Sequence, residues 1–406
     1  MSNAPVIIVG ASAAGVSAAR TLRAEGFTDP VILVDADPNL PYERPPLSKK
    51  VLESATVSPA DIALLSPSDL DELGLTLKLG VRATGLDAAS RTLTLSDGST
   101  LTGRAIVLAT GGRASRLPLP GADLKGVHVI RDYADAEALR GDLADATKVA
   151  VIGGGLIGTE AAIAIARLGK TVDWIDAAPK PLAHILPEAI ADHLIASHIA
   201  NGITLHASAR LKGFTGSDGR VTGVEFADGS VLPTDVVVLG TGMKPDQALA
   251  AAAGLETSAG IHVTDAQETS APGIYAAGDV ASFAHEGAAA RKRHEHWRSA
   301  EEQGANAARA ILGLPPQPFS VPWFWSDQGA HHVEMAGKPT GRSIVRAGAH
   351  GPIVFELNAD GTLAGVASVD EPNAVRVGLR LIQGGKVVDA AALADPSVDL
   401  RKLLKK

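Results

Sequence analysis

The stretch VAVIGGGLIGTE (149–160) leads a short apolar run into a glycine-rich turn and out into a segment of helical composition, and VIIVGASAAG (6–15) has the same order. A strand, a tight turn and a helix in that succession leave the first N–H groups of the helix unpaired and converging, which suits the pyrophosphate of a dinucleotide. In the later copy Gly153, Gly155 and Gly158 fill the three glycine positions of this fingerprint; in the earlier copy they are Gly10, Ser12 and Gly15. Serine departs from the pattern at the middle position, where a missing side chain lets the backbone approach phosphate, yet it is small enough to leave the site usable. Each copy also has the acid expected about 20 residues further on, at the adenosine ribose. These are Asp35 in VILVDAD (31–37), with Asp37 as an alternative, and Asp176 in TVDWIDA (171–177). A carboxylate at Asp176 repels a 2′-phosphate, so NADH is favoured over NADPH, and nearby Lys180 moderates that preference.

The fingerprints belong to a longer repeated order. The first module closes with the strand AIVLATGG (105–112) and the second with DVVVLGTG (235–242). Between each helix and its closing strand lie alternating segments with turn signals, RTLTLSDGSTL (91–101) and RVTGVEFADGSVL (220–232), which read as antiparallel hairpins. GIYAAGDVA (273–281) and a polar helical stretch (294–312) follow the second module without a counterpart after the first. A proline-rich linker, LPPQPFSVPW (314–323), then precedes alternating segments that suggest a small sheet and a helix. The expected fold is α/β: two Rossmann-like dinucleotide-binding domains in a glutathione-reductase-like arrangement, plus a small α+β C-terminal domain. The boundaries expected are 1–112 with 247–318 for a discontinuous first domain, 113–246 for the second and 319–406 for the third.

Composition narrows the chemistry. The chain of 406 residues is 46% hydrophobic and 20% charged, as in ordinary globular proteins, and it has no apolar run approaching a membrane span. Its N-terminus enters the first strand without the charged and apolar regions of a signal peptide, so a cytoplasmic protein without a membrane anchor is expected. A net charge of −8 argues against nucleic acid as the main partner. The absence of cysteine excludes disulfides, thiolate metal sites and a dithiol relay that would pass electrons to a disulfide substrate. Electrons handled by this chain therefore leave directly from a cofactor.

PYERPPLSK (41–49), ATGG (109–112), GGGLIGTE (153–160), YAAGDVA (275–281) and PWFWSDQG (322–329) resemble the two-dinucleotide flavoprotein reductases. More narrowly, they resemble the putidaredoxin reductase and biphenyl dioxygenase ferredoxin reductase family, NADH-dependent enzymes that serve Rieske dioxygenases and haem-thiolate monooxygenases. The resemblance covers almost the whole chain and implies FAD in the first module. Gly10, Ser12, Ala13, Ala14 and Gly15 would surround its pyrophosphate and Asp35 its ribose. Arg44, Lys49, Ala83, Ala109, Thr110, Gly111, Arg131, Gly278, Asp279, Trp297 and Trp325 match further FAD positions. For NAD it implies Gly153, Gly155, Leu156, Ile157, Gly158, Glu160, Asp176 and Gly242. Lys49 and Glu160 would form a pair beside the flavin, with Lys49 stabilising the anionic reduced ring.

The implied reaction is hydride transfer from NADH to flavin N5, then two single-electron transfers to a [2Fe–2S] ferredoxin. An acidic ferredoxin would dock on a basic patch at Arg291, Lys292, Arg293 and Arg298, with Arg401, Lys402, Lys405 and Lys406 as a second cluster. Two alternatives share the architecture: a rubredoxin reductase or similar electron donor, and a redox-sensing binding protein like the apoptosis-inducing factor group. Trp297, Trp323 and Trp325 would offer flat surfaces that exclude water near the flavin. His294, His296, His331 and His332 lack a third ligand at useful spacing, so no metal is expected.

Overall fold

Val6–Val9 is apolar at every position because both of its faces are covered. It lies at the centre of a five-stranded parallel sheet, in the order Ile274–Ala276, Ala105–Leu108, Val6–Val9, Val31–Val34, Leu75–Lys78. Continuous Val/Ile/Leu runs without alternation are what a doubly covered parallel strand requires. The second module repeats the arrangement with Thr204–His206, Thr171–Ile175, Lys148–Ile152, Val236–Leu239 and Val127–Val129, again parallel. These are computed structural model coordinates, which describe residues 4–284, 291–338 and 340–405. Among the described residues no helix is long and apolar enough to cross a membrane.

The two sheets explain GIYAAGDVA. Its strand Ile274–Ala276 pairs with the closing strand of the first sheet, and the second module places Val127–Val129 in the equivalent position against Val236–Leu239. A counterpart therefore exists, in the stretch between the first module and the second fingerprint, and it joins the second sheet as Ile274–Ala276 joins the first.

The chain forms two compact units. The first comprises residues 1–44, 57–113 and 243–320, and the second residues 45–56, 114–242 and 321–406. In the first, helix Ala13–Ala24 packs closely against helix Trp297–Ile311: a Cβ on Gly304 would sit 2.1 Å from the Ala14 carbonyl oxygen. Only glycine allows that approach. Ala18, Ala19, Ala307 and Ala308 continue the small-residue seam, all fully buried.

In the second unit the C-terminal segment forms a five-stranded antiparallel sheet, in the order Trp323–Gln328, His331–Gly337, Leu363–Val369, Pro352–Leu357, Arg342–Ala347. Helix Pro372–Gly384 covers one face, packing Val375 and Leu381 on Phe355 and Val366. Val333, Met335, Val354 and Val369 on the other face pack against Leu182, Leu186, Ile190 and Leu194 of the NAD-type module. A sheet apolar on both sides cannot stand alone, and this segment and that module fall in one compact unit. Residues 45–56 also join this unit. Val51 and Leu52 are buried, and Arg140 donates to the Val51 and Ser54 carbonyls at 3.1 and 3.3 Å.

Candidate functional site

Both glycine-rich turns show why glycine stands at their outer positions. Gly10 and Gly153 adopt φ of +107° and +117°, and a Cβ would lie 2.1 Å from the Ala109 oxygen or 2.3 Å from the Gly240 oxygen. A Cβ on Gly15 or Gly158 would lie 1.9 or 2.4 Å from the carbonyl oxygen of Gly10 or Gly153. Packing fixes these four. The middle position is different, because a Cβ on Gly155 would meet nothing within 4 Å. Open space at the mouth of a helix is the cradle a phosphate needs. Helix Leu156–Arg167 has no side-chain cap and no acid in its first turn, whereas Asp132 caps Tyr133–Asp145 in the same unit. Ala13–Ala24 is likewise uncapped, since the Ser12 hydroxyl takes no N–H of its helix. Both helices thus open with N–H groups that no side chain caps and with no acid in their first turn.

The acids lie where the spacing suggested. Asp35 accepts the Ala11 N–H at 2.6 Å and the Asp37 N–H at 2.9 Å, which ties it to the first turn. Asp37 instead binds the Tyr42 hydroxyl at 2.6 Å and Asn39. Asp176 accepts the Ala178 N–H at 2.6 Å, and its other oxygen is so close to Gly154 that a Cβ there would be 2.6 Å away. Lys180 is paired with Glu188 and, at 2.8 Å, with Asp192. Its charge is therefore shared between two carboxylates.

The expected FAD set divides between the units. Gly10, Ser12, Ala13, Ala14, Gly15, Asp35, Arg44, Ala83, Ala109, Thr110, Gly111, Gly278, Asp279 and Trp297 belong to the first, and Lys49, Arg131 and Trp325 to the second. Within the first unit Gly278 sits beside the fingerprint helix, where a Cβ would be 3.0 Å from that of Ala14. Fully buried Gln303 holds this turn by accepting the Gly278 N–H at 2.7 Å. Thr110 and Gly111 grip the Asp246 backbone at 2.7 and 3.0 Å. Ala83 opens a strand two residues beyond Val81, whose N–H bonds the Asp35 carbonyl at 3.0 Å. Arg44 lies over the Tyr42 ring. Arg131 immediately precedes Asp132, and its backbone N–H bonds Asp135 at 3.0 Å. In the NAD set, Leu156 opens the fingerprint helix, and Ile157 is large, apolar and 47% exposed on its first turn. Gly242 has φ of +87° and accepts the Ser115 N–H at 2.9 Å.

The second unit contains an unusual charged cluster. Glu160 is buried on helix Leu156–Arg167, and Lys49 reaches its Oε1 at 3.2 Å. Ser48 donates to Oε2 and Ser326 to Oε1, each at 2.5 Å, while the Gln328 amide donates to the Ser326 oxygen at 2.8 Å. Because Ser326 accepts from Gln328, its own proton is turned towards Glu160. Burial pushes the Glu160 carboxyl above the ordinary range, against the opposing pull of Lys49, Ser326 and Ser48. Donors on both oxygens match the ionised form. Lys49 also lies 3.5 Å from Asp327, which binds His332 at 2.7 Å. Trp323 and Trp325, two residues apart on one strand face, stack with centroids 5.3 Å apart.

Comparisons with known proteins show the family. The pyridine nucleotide-disulphide oxidoreductase model matches residues 4–304, and a reductase C-terminal model matches 323–404. The chain belongs to this oxidoreductase family. It is 35% identical to a ferredoxin–NAD(P)+ reductase of Sphingomonas sp over 97% of this chain and 94% of that one. It is 33% identical to the ferredoxin–NAD+ reductase subunit of the benzene 1,2-dioxygenase system of Pseudomonas putida, over 98% and 97%. Among solved structures, that of the covalent putidaredoxin reductase–putidaredoxin complex superposes with a TM-score of 0.92 at 32% identity, covering 100% of this chain and 99% of that one. The disulphide in the family's description has no counterpart here, because this member has no cysteine.

Sequence reading missed Ser48, Ser326, Gln328, Asp327 and Gln303. The first four stood inside the quoted motifs, but the Glu160 and Lys49 that Ser48, Ser326 and Asp327 meet stand in other motifs. Gly240 was missed too; its LGTG context held the signal, and a Cβ there would be 2.7 Å from the Gly158 Cα. The basic stretch is more committed than its composition suggests. Arg291 donates to the Ser282 and Val263 carbonyls at 2.6 and 2.8 Å, Arg293 pairs with Glu295, and of the four only Lys292 is exposed. In the second basic cluster, Arg401 pairs with Asp399 at 3.0 Å and Lys406 lies outside the described residues.

Proposed function

We propose that this protein is an FAD-dependent ferredoxin reductase that takes electrons from NADH and delivers them to a [2Fe–2S] ferredoxin feeding a Rieske dioxygenase or haem-thiolate monooxygenase. The observation that carries the reading is the buried Lys49–Glu160 pair with its two serine donors, in a chain that matches ferredoxin reductases from end to end. When bound, FAD accepts an electron pair from NADH and returns it one electron at a time, as a one-electron iron–sulfur acceptor requires.

The chain's own residues bind and orient. The uncapped N-terminus of Ala13–Ala24 and the Ser12 hydroxyl hold the FAD pyrophosphate, and Asp35, with lone pairs left after two backbone bonds, accepts from the adenosine ribose. Gly155 leaves room for the NADH pyrophosphate. Asp176 accepts from the 2′-hydroxyl and repels a 2′-phosphate. Ile157 supplies an apolar contact to the bound nucleotide. Glu160 aims the Lys49 ammonium at the site where negative charge develops, and low local polarity strengthens that field. Trp325, backed by Trp323, excludes water. Lys292 and Arg298 attract an acidic partner, and NADH supply sets the reaction in the cytoplasm.

Stopped-flow mixing of the purified yellow protein with NADH, NADPH, a [2Fe–2S] ferredoxin and rubredoxin tests this. Rapid bleaching by NADH and rapid reoxidation by the ferredoxin is the expected result. Bleaching without reoxidation by any iron–sulfur protein would leave a flavin reductase with another acceptor.

A further inference from the structure

The antiparallel hairpin Trp323–Gln328/His331–Gly337 pairs Asp327 with His332 and Trp325 with Glu334. Alternation turns Trp323, Trp325, Asp327, His332 and Glu334 to one face, with Ser326 and Gln328 on the other. Lys49 reaches both faces of this edge strand, meeting Asp327 at 3.5 Å on one and the Ser326-bonded Glu160 at 3.2 Å on the other. Five charged groups thus share partners in a row. Glu160 and Asp327 compete for Lys49, Lys49 and His332 compete for Asp327, and His332 also bonds Glu334 at 3.2 Å. Glu334 in turn accepts from the Trp323 indole at 3.3 Å.

We propose that His332 is a positioning residue for hydride transfer, one that shares Asp327 with Lys49 and whose charge decides whether Lys49 is held by Glu160 alone or drawn aside to Asp327. The inference rests on the reading of Lys49 and Glu160 given above. Charged His332 satisfies Asp327 and leaves Lys49 to Glu160. Neutral His332 leaves Asp327 with Lys49 as its only cation among the described residues. The other titratable groups around the imidazole are few. His331 on the same strand is bonded to Asp370 at 2.8 Å and faces the His193 ring, and Asp370 accepts the His332 backbone N–H rather than its ring. Burial lowers the His332 imidazole, but Asp327 and Glu334 outweigh it and raise it above its ordinary value. The switch therefore falls above the usual imidazole range, about 6.5, where a modest change in pH is felt.

The test uses the holoprotein and two readouts. In the first, NMR of histidine-labelled protein follows the His332 imidazole. Lys49→Met removes the competitor for Asp327 and is expected to tighten the proton affinity of His332 about two- to fivefold, while Asp327→Asn weakens it. A purely structural His332 would not respond to Lys49. In the second, the rate of flavin reduction by NADH is expected to fall about two- to fivefold as pH rises through the His332 titration, and His332→Gln removes this limb. A His332 titration unmoved by both Lys49→Met and Asp327→Asn, or a pH limb that survives His332→Gln, overturns the proposal. If Lys49→Met reduces flavin at the parent rate, the hydride-site reading itself fails. If it slows reduction while His332 titrates unchanged, only the present inference fails.

Discussion

Lys49→Met isolates the cost of leaving a carboxylate buried without its cation. In the folded chain Glu160 is buried and Lys49 is 17% exposed, so the ion pair is largely inside. Breaking a buried pair by removing one partner costs about 3–5 kcal/mol. Partial exposure of Lys49, together with Ser48 and Ser326, which still donate after the change, reduces the expected loss to about 2–4 kcal/mol at neutral pH. Adding Glu160→Gln removes the stranded charge, and the double variant is expected to return to within about 1 kcal/mol of the parent. The sign with pH follows from Glu160, whose carboxyl burial already raises and whose strongest opposing influence is Lys49. With Lys49 gone it rises further. A group raised in the folded state contributes stability that is full below its unfolded value, about 4.3 for glutamate, and is lost as pH climbs through the folded value. The deficit of Lys49→Met is thus complete near pH ~8 and shrinks towards pH ~5. Urea unfolding followed by tryptophan fluorescence measures it, since three of the four tryptophans, Trp174, Trp323 and Trp325, belong to the same unit as the pair. A loss below about 0.5 kcal/mol, the usual size of a surface change, or a deficit equal at both pH values refutes the reasoning.

Gly155→Ala enters open space, so melting temperature is expected to hold while NADH affinity drops about tenfold or more; Gly158→Ala, facing the Gly153 oxygen at 2.4 Å, is expected to lose both. Calorimetry and thermal melts separate the two. Glu188→Gln with Asp192→Asn frees Lys180 from its clamp and is expected to raise NADPH use relative to NADH severalfold, read as the ratio of kcat/KM values. Gln303→Leu leaves the Gly278 N–H unpaired beside the fingerprint helix, with an expected cost of about 1–3 kcal/mol and weaker FAD retention on dilution.

What the sequence made legible was local. The two fingerprints, their acids and their closing strands are each set by a few adjacent residues, and the parallel sheets follow from apolar runs that do not alternate. The sheet that GIYAAGDVA joins was not legible, because pairing with a closing strand more than 160 residues earlier leaves no periodic mark. The C-terminal sheet was recognised as a sheet, but its second apolar face only acquires meaning once Leu182, Leu186 and Leu194 are known to lie on it. Ser48, Ser326 and Asp327 were in plain view as letters. A serine becomes a ligand of Glu160 only when the helix that bears the glutamate passes beside the strand that bears the serine.

The two modules differ at one position in a way that fits their different tasks. The first turn has Ser12 at its middle and the second has Gly155, and neither residue caps its helix. A hydroxyl that gives nothing to the helix remains free to donate to an anion, which adds a hydrogen bond to a ligand that must stay. The bare glycine allows the closest backbone approach but adds no side-chain contact, which suits a nucleotide that binds, reacts and departs. Ser12→Gly should therefore loosen FAD without changing the fold, since Ser12 opens its helix from extended backbone at φ −98° that glycine also adopts. The measurement is the FAD dissociation rate of the purified protein beside its melting temperature. Unchanged retention in Ser12→Gly would remove the hydroxyl from the FAD site and leave the serine as a tolerated departure from the fingerprint.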